Sequence, residues 1–400
     1  MDPGCRLVPT PIIKNGPSYV VIEVADTTPV IANTSQKQHS RSHATEVPRE
    51  KPSILRLPPE LLMHIISLTA TDIDSPSAYL SIRSLINLAS SCRYLYPLVL
   101  PTLYSALSIP GRPVQGWGLL EQRVEQIHRA VQQNPAVFRN ACKEVWLEIP
   151  EGSNAKCLDR VHGILAQLHN LRRMSITSSE FTLHARERIR ENAWSLARTA
   201  LSYAKRLESL TLECRPCLQD IFENIEAACP PSRKELVIYN VKRTPGITMG
   251  DKPKKPDTAT ITSLKISGFD ESAEAHGRLV SWPKSLVHFG FDSRESAVKD
   301  ALKLDLTIFQ TWLSRHKETL KSVDIRGPSP KGELKFFNAH IFPNLEVLTL
   351  SRSLLGLGED SWMLSPSAIY TVDCLIGPKL HTFTLYIPLP HKSSLGENQD

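Results

Sequence analysis

A short pattern, apolar-x-x-apolar-x-apolar, recurs along this chain and constrains its fold more than any other feature. It reads Leu171/Met174/Ile176, Leu207/Leu210/Leu212, Ile261/Leu264/Ile266, Leu286/Phe289/Phe291, Leu320/Val323/Ile325, Leu345/Leu348/Leu350 and Leu380/Phe383/Leu385. Leu236/Ile238 and Val145/Leu147/Ile149 are weaker copies. Three such positions coincide by chance about six times in a chain of 400 residues, so the pattern alone decides little. The spacing decides. The middle residues, at 174, 210, 236, 264, 289, 323, 348 and 383, stand 36, 26, 28, 25, 34, 25 and 35 residues apart. Several copies share an entrance: His169-Asn-Leu171, Pro283-Lys-Ser-Leu286, Pro343-Asn-Leu345 and Pro378-Lys-Leu380. Helix-period stretches at residues 120–131, 158–168, 218–228 and 308–316 fall between copies. A helix, a turn and a short strand of this size cannot bury their own apolar face, so neighbours must stack.

Residues 109–390 are therefore expected to form an α/β solenoid. The longer units exceed the about 20–29 residues of regular leucine-rich repeats, which predicts irregular helices and loops. Residues 242–258 (KRTPGITMGDKPKKP and its flank) show no apolar period and read as a mobile insertion. The final repeat is followed by a thin polar stretch, with residues 391–400 as a tail, and is expected to fray or to be covered by a partner.

The first hundred residues differ. Residues 1–52 are rich in Pro, Thr, Ser and His with balanced charges, and bury too little apolar surface to offset ordering entropy. They read as a flexible arm in which Tyr19-Val-Val-Ile-Glu-Val24 could pair as a strand were an edge offered. At Leu57 the character changes. Leu57-Pro58-Pro59-Glu60 suits a helix start, where proline's missing N–H costs nothing and Glu60 meets the positive end of the dipole. Leu61, Leu62, Ile65, Ile66 and Leu68 give a broad apolar face; Leu85, Ile86, Leu88, Ala89 and Cys92 give a second, and a third short piece runs to Pro101. A three-helix bundle over residues 53–108 is the expectation.

Composition narrows the function classes. Lys+Arg 47 against Asp+Glu 41 leaves +6, too mild and too dispersed for a nucleic-acid binder. Eight cysteines in 400 residues are far from a disulfide scaffold, and no signal-peptide pattern or bilayer-length apolar run is present. A reducing compartment, cytosol or nucleus, follows, with no membrane partner.

Residues 57–104 resemble the F-box. The matching text is LPPELLMHIISL (57–68) and LINLASSCRYLYPLVLPTLY (85–104), with an extra stretch, residues 69–81, between the two. The repeats behind it are similar to the degenerate leucine-rich repeats that follow F-boxes, and the Leu-Val-Leu-Pro-x-Leu-Tyr ending resembles fungal members. The resemblance implies a non-catalytic substrate receptor of an SCF-type ubiquitin ligase, docked on a Skp-family adaptor and a cullin–RING assembly, with no cofactor. Its adaptor-binding residues would be Leu57, Pro58, Glu60, Leu61, Ile65, Leu88, Ser91, Cys92 and Leu95. An apolar face of this kind is costly to leave in water and suits a partner helix.

Target recognition would fall to the repeats. If the middle and last anchors point inward, period-2 alternation turns the intervening residues outward. Arg173, Ser175, Thr211, Lys265, His288, Asp324, Arg326 and Thr349 are the candidates, mostly small hydroxyls with charges of both signs. Cys214-Arg-Pro-Cys217 is the one catalytic-looking motif, but it lacks a second pair for zinc and a thioredoxin-like context. Gly116-Trp-Gly118 and Gly356-Leu-Gly358 do not form phosphate loops. His162, His169, His288 and His316 are scattered and read as structural or exposed.

Overall fold

A computed structural model of the chain describes residues 5–12, 19–26, 57–70, 78–109, 117–149, 155–178, 186–227, 234–242, 257–293, 306–327, 337–351, 354 and 374–386. Of the insertion expected at 242–258, residues 243–256 lie outside these residues, as do the tail at 391–400 and both short glycine motifs apart from Trp117 and Gly118. The ends of that range are corrected, since Lys242 closes a strand and ion-pairs with Asp270 while Asp257 ion-pairs with Arg315. The chain divides into two compact units, Met1–Leu171 and Arg172–Asp400.

In the first unit, β1 (Cys5–Ile12) pairs antiparallel with β2 (Tyr19–Asp26), in a register running from Cys5↔Asp26 to Ile12↔Tyr19. The run at Tyr19 thus has its edge supplied from within the same segment. Three helices follow: α1 (Pro59–Ala70), α2 (Ala78–Ser91) and α3 (Tyr96–Leu103). Glu60 sits in the first turn of α1, where the macrodipole favours a carboxylate. Proline occupies the first turn of α3, and Pro101 lies two residues before its end, so the helix loses little by it. The helices close on Ile66, Leu85, Ala89 and Val99, with Leu88, Leu98 and Leu103 packed against that centre. Beyond the bundle, β3 (Ala106–Ile109) pairs parallel with β4 (Glu144–Ile149). Helices α4 (Trp117–Gln133) and α5 (Pro135–Ala141) lie between those strands, and α6 (Ala155–Gln167) follows.

The second unit contains eight described parallel strands, each bonded to the next in sequence. They are β5 (Arg173–Ser178), β6 (Ser209–Glu213), β7 (Glu235–Lys242), β8 (Ser263–Asp270), β9 (His288–Asp292), β10 (Ser322–Arg326), β11 (Val347–Ser351) and β12 (Thr382–Tyr386). Parallel neighbours need crossovers. Four are helical in the described residues: α7 (Arg186–Tyr203), α8 (Leu218–Ala227), α9 (Ala273–Ser281) and α10 (Leu306–Leu313).

The register explains the recurring pattern. Met174, Leu210, Leu236, Leu264, Phe289, Val323, Leu348 and Phe383 stand side by side in one row, and the last anchors stand in a second row two residues on. Leu207, Ile261, Leu286, Leu320 and Leu345 are buried just ahead of their strands. The first row is buried until the last strand, where Phe383 is 44% exposed. This sequential, parallel sheet is the arrangement that stacked repeats produce.

Two backbone positions break the alternation together. Asn240 (φ 56) and Gly268 (φ 64) adopt the left-handed conformation in adjacent strands, between the paired positions Tyr239↔Ser267 and Val241↔Phe269. The local turn resets the phase of both strands, so Val241 and Phe269 point inward after Ile238 and Ile266. Glycine and asparagine are the residues that visit this region. A Cβ on Gly268 would stand 2.6 Å from Asn240 Oδ1. Gly268→Ala is therefore expected to destabilise the second unit by about 1–3 kcal/mol. Denaturant unfolding measures this, and adding Asn240→Gly should recover the steric part of the loss.

Candidate functional site

In α1, Leu62 and Ile66 point into the bundle, so the positions beside them point out. Leu61, Ile65 and Leu68, at i, i+4 and i+7, are 50%, 38% and 55% exposed. Those positions share one helix face, which makes an aliphatic stripe. Pro58 and Glu60 are exposed at its start and Leu57 is half-buried. Leu88 is half-buried against the bundle centre. Ser91 is exposed and donates its hydroxyl to the Leu88 carbonyl at 2.7 Å. Cys92 is half-buried, its Sγ accepting from the Leu95 N–H at 3.4 Å. One expectation is corrected: Leu95 is 4% exposed and offers no surface. It lies where the chain turns into α3, its carbonyl accepting from the N–H groups of Leu98 and Val99, both at 3.0 Å. The accessible part of the predicted face is thus the α1 stripe with its proline lead-in. Completing the burial of each of these side chains is worth about 1 kcal/mol.

On the second unit, the residues between the inward anchors also fall into rows. Ser175, Thr211, Val237, Lys265, Gly290, Asp324, Thr349 and Thr384 are register partners across all eight strands. Five of the eight predicted target-binding residues share that row. Arg173 and His288 stand in the row before it, and Arg326 in the row after. Lys265 reaches over its neighbour: a Cβ on Gly290 would sit 3.1 Å from Lys265 Cγ.

The charges on this face are largely matched across strands. Ser209 donates to Glu235 at 2.8 Å and Lys265 Nζ lies 3.1 Å from the same carboxylate. Burial works against the Glu235 carboxylate, but those two hydrogen bonds and the charges of Lys265 and Arg173 outweigh it and hold its pKa below the ordinary value. Arg326 binds Asp324 through two nitrogens, at 2.8 and 2.7 Å. The Arg326 guanidinium also lies 5.0 Å from the centre of the Tyr386 ring. That contact spans β11, where Ser351 and Thr349 are buried, so Thr349 is not available as predicted. Glu235 is the functional-looking residue that the pattern missed, because it opens one of the two weaker copies. The face offers hydroxyls and held ion pairs, a chemistry of contact.

Thiol chemistry is weak here. Cys214 is buried, and burial, followed by the charges of Asp220 and Glu213, pushes its thiol up to about 12. A nucleophilic or redox thiol needs the opposite shift. Cys217 is also buried, its Sγ accepting from the Asp220 N–H at 3.5 Å. His316 is a structural histidine: Nε2 lies 2.8 Å from the Val280 carbonyl while Nδ1 accepts from the Leu286 N–H at 3.4 Å. His169 and His288 are exposed and His162 is half-buried. Among the described residues, no three His, Cys, Asp or Glu side chains group as a metal site, and no helix is long and apolar enough to cross a membrane.

No protein-family model matches the chain, and no curated protein matches it. Among solved structures it is similar to the leucine-rich repeat-containing protein LegL7 of Legionella pneumophila, at 13% identity and a TM-score of 0.42. That similarity covers 70% of this chain and 90% of LegL7.

Proposed function

We propose that this chain is a non-catalytic substrate receptor: its helical bundle docks a Skp-family adaptor of a cullin–RING ubiquitin ligase, and its parallel sheet holds a target protein. The observation that carries this reading is the aliphatic stripe Leu61/Ile65/Leu68, exposed on a helix whose other face is fully used inside the bundle. A partner helix laid along it would bury surface that water now wets, the helix-in-groove mode. The F-box resemblance of residues 57–104 supplies the partner's class. In this scheme the chain makes and breaks no bond; it raises the effective concentration of a target lysine near a charged ubiquitin carrier. Such a receptor works in the cytosol or nucleus.

Co-purification with a Skp-family adaptor tests this. Leu61→Asp/Ile65→Asp places two charges in the stripe without touching Leu62 or Ile66, so circular dichroism should be unchanged. Recovery of adaptor is expected to fall at least about tenfold, the cost of a desolvated charge at an apolar contact. Equal recovery with wild type and the double variant overturns the reading. A second reading, a binding scaffold uncoupled from ubiquitin transfer, draws on the sheet's polar rows, which need nothing from α1. Target capture by a wild-type chain that recovers no adaptor would select it.

A further inference from the structure

The parallel sheet ends at β12, and that strand is an edge without the usual defences. Among the described residues no strand lies beyond it. Soluble proteins blunt such an edge with lysine, proline, a bulge or an inward charge, because its unused N–H and C=O groups template another strand. β12 reads Thr-Phe-Thr-Leu-Tyr, with none of these and with residues that favour strands. It is fully formed, pairing with β11 from Val347↔Thr382 to Ser351↔Tyr386. The Thr382 N–H donates to the Glu346 carbonyl at 3.2 Å. Alternation along the strand then aims the main-chain groups of Thr382, Thr384 and Tyr386 at β11, and those of Phe383 and Leu385 away from it. Apolar side chains are uncovered at the same place. Phe383 is exposed although the rest of its row is buried, and Ile376, in the turn leading to the strand, is 54% exposed.

What this edge lacks is a strand to bond and an apolar side chain to lay over Phe383, and β12 itself supplies both. We propose that two copies of this chain join edge to edge, β12 antiparallel to β12, about a two-fold axis at Thr384. In that register Phe383 stands opposite Leu385 of the second copy, and Leu385 opposite its Phe383. These are the residues whose N–H and C=O point outward, and each such pair exchanges both hydrogen bonds. Directly opposed side chains share a face, so both exposed phenylalanines are covered and the inward rows run on into the second copy. On the other face Thr384 meets Thr384 and Thr382 meets Tyr386, with no like charges opposed. A strand such as β10, with Asp324 at its centre, would instead set carboxylate against carboxylate. The contact is self-complementary and closes at two copies. The bonded edge is short, so the dimer is expected to dissociate on dilution. This inference is independent of the adaptor contact at α1.

Sedimentation velocity of the full chain over about a hundredfold range of concentration tests this. Wild type is expected to pass from monomer to dimer, and no further, as concentration rises. Thr384 is exposed, so Thr384→Lys and Thr384→Glu leave a single copy's packing intact while setting like charges face to face on the axis. Each should weaken self-association at least about tenfold. An equimolar mixture of the two variants opposes lysine to glutamate and should regain at least the wild-type affinity, a recovery that also requires both to be folded. A wild type that stays monomeric throughout overturns the proposal. So do dimers that neither variant weakens, which place the contact elsewhere, and a mixture as weak as its components, which excludes the axis at Thr384.

Discussion

Phe309→Ala is expected to cost the second unit about 3–5 kcal/mol, the usual price of emptying an aromatic core position. Phe309 is 1% exposed on α10 and ties that helix to the sheet. Its ring lies 6.2 Å from Phe289, 4.9 Å from Phe291 and 5.4 Å from Trp312, so truncation removes three aromatic contacts at once. Phe289 and Phe291 belong to the two inward rows of β9, and no other side chain bridges both to a helix by ring contacts among the described residues. Repeats lean on nearest neighbours, so the damage should centre on β9, β10 and α10 before it spreads. Hydrogen exchange should show α10 and β9 losing protection first. Phe309→Leu, which keeps most of the volume, should cost clearly less. Equal costs for the two variants would show that the rings are not what holds α10 down.

The second large effect is a loss of stability on acidification, centred on His276. This side chain is fully buried on α9, with neither ring nitrogen hydrogen-bonded. Aromatic rings surround it: Phe269 at 3.4 Å, Phe291 at 5.1 Å and Trp312 at 5.3 Å between centroids. Burial lowers its pKa to about 3 from an ordinary 6.5. The unfolded chain therefore binds a proton between those values that the folded chain refuses. The stability is complete above pH 6.5 and is lost as pH falls toward 3, by about 2 kcal/mol at pH 5. His316, also lowered by burial, adds to the loss in the same direction. His276→Phe should shrink the difference in unfolding free energy between pH 7 and pH 5. It should also raise stability at pH 7, since two unsatisfied ring nitrogens leave the core. An unchanged pH dependence in that variant would show that the acid sensitivity lies elsewhere.

Much of this architecture was legible because its repeating units state themselves twice, once in the anchors and once in their spacing. The eight middle anchors identified from residue type alone are the eight members of one inward row. The α1 stripe was legible too, since Leu61 and Ile65 alternate with Leu62 and Ile66 around a helix. Other features left little trace. Helix α7, at 18 residues the longest described, buries Ala193, Ala197 and Ala200 along one side, and alanine contributes little to an apolar period. The burial of Leu95 depends on how the chain turns between two helices, which local pattern does not encode. The paired left-handed residues Asn240 and Gly268 stand 28 positions apart in the sequence, on adjacent strands. Such features exist only once the strands are laid side by side.

The level register of the strands carries a consequence for any ligand stretched across them. Neighbouring strands stand about 4.8 Å apart, while an extended peptide advances about 3.3 Å per residue. Two strand intervals therefore equal three peptide residues to within a few tenths of an ångström. A segment laid crosswise returns to the same phase at every third residue and every second strand, like the coinciding marks of a vernier scale. Along the row containing Thr211, Lys265 and Asp324, that beat selects a hydroxyl, an ammonium and a carboxylate in turn. A preferred partner would spell its identity in steps of three.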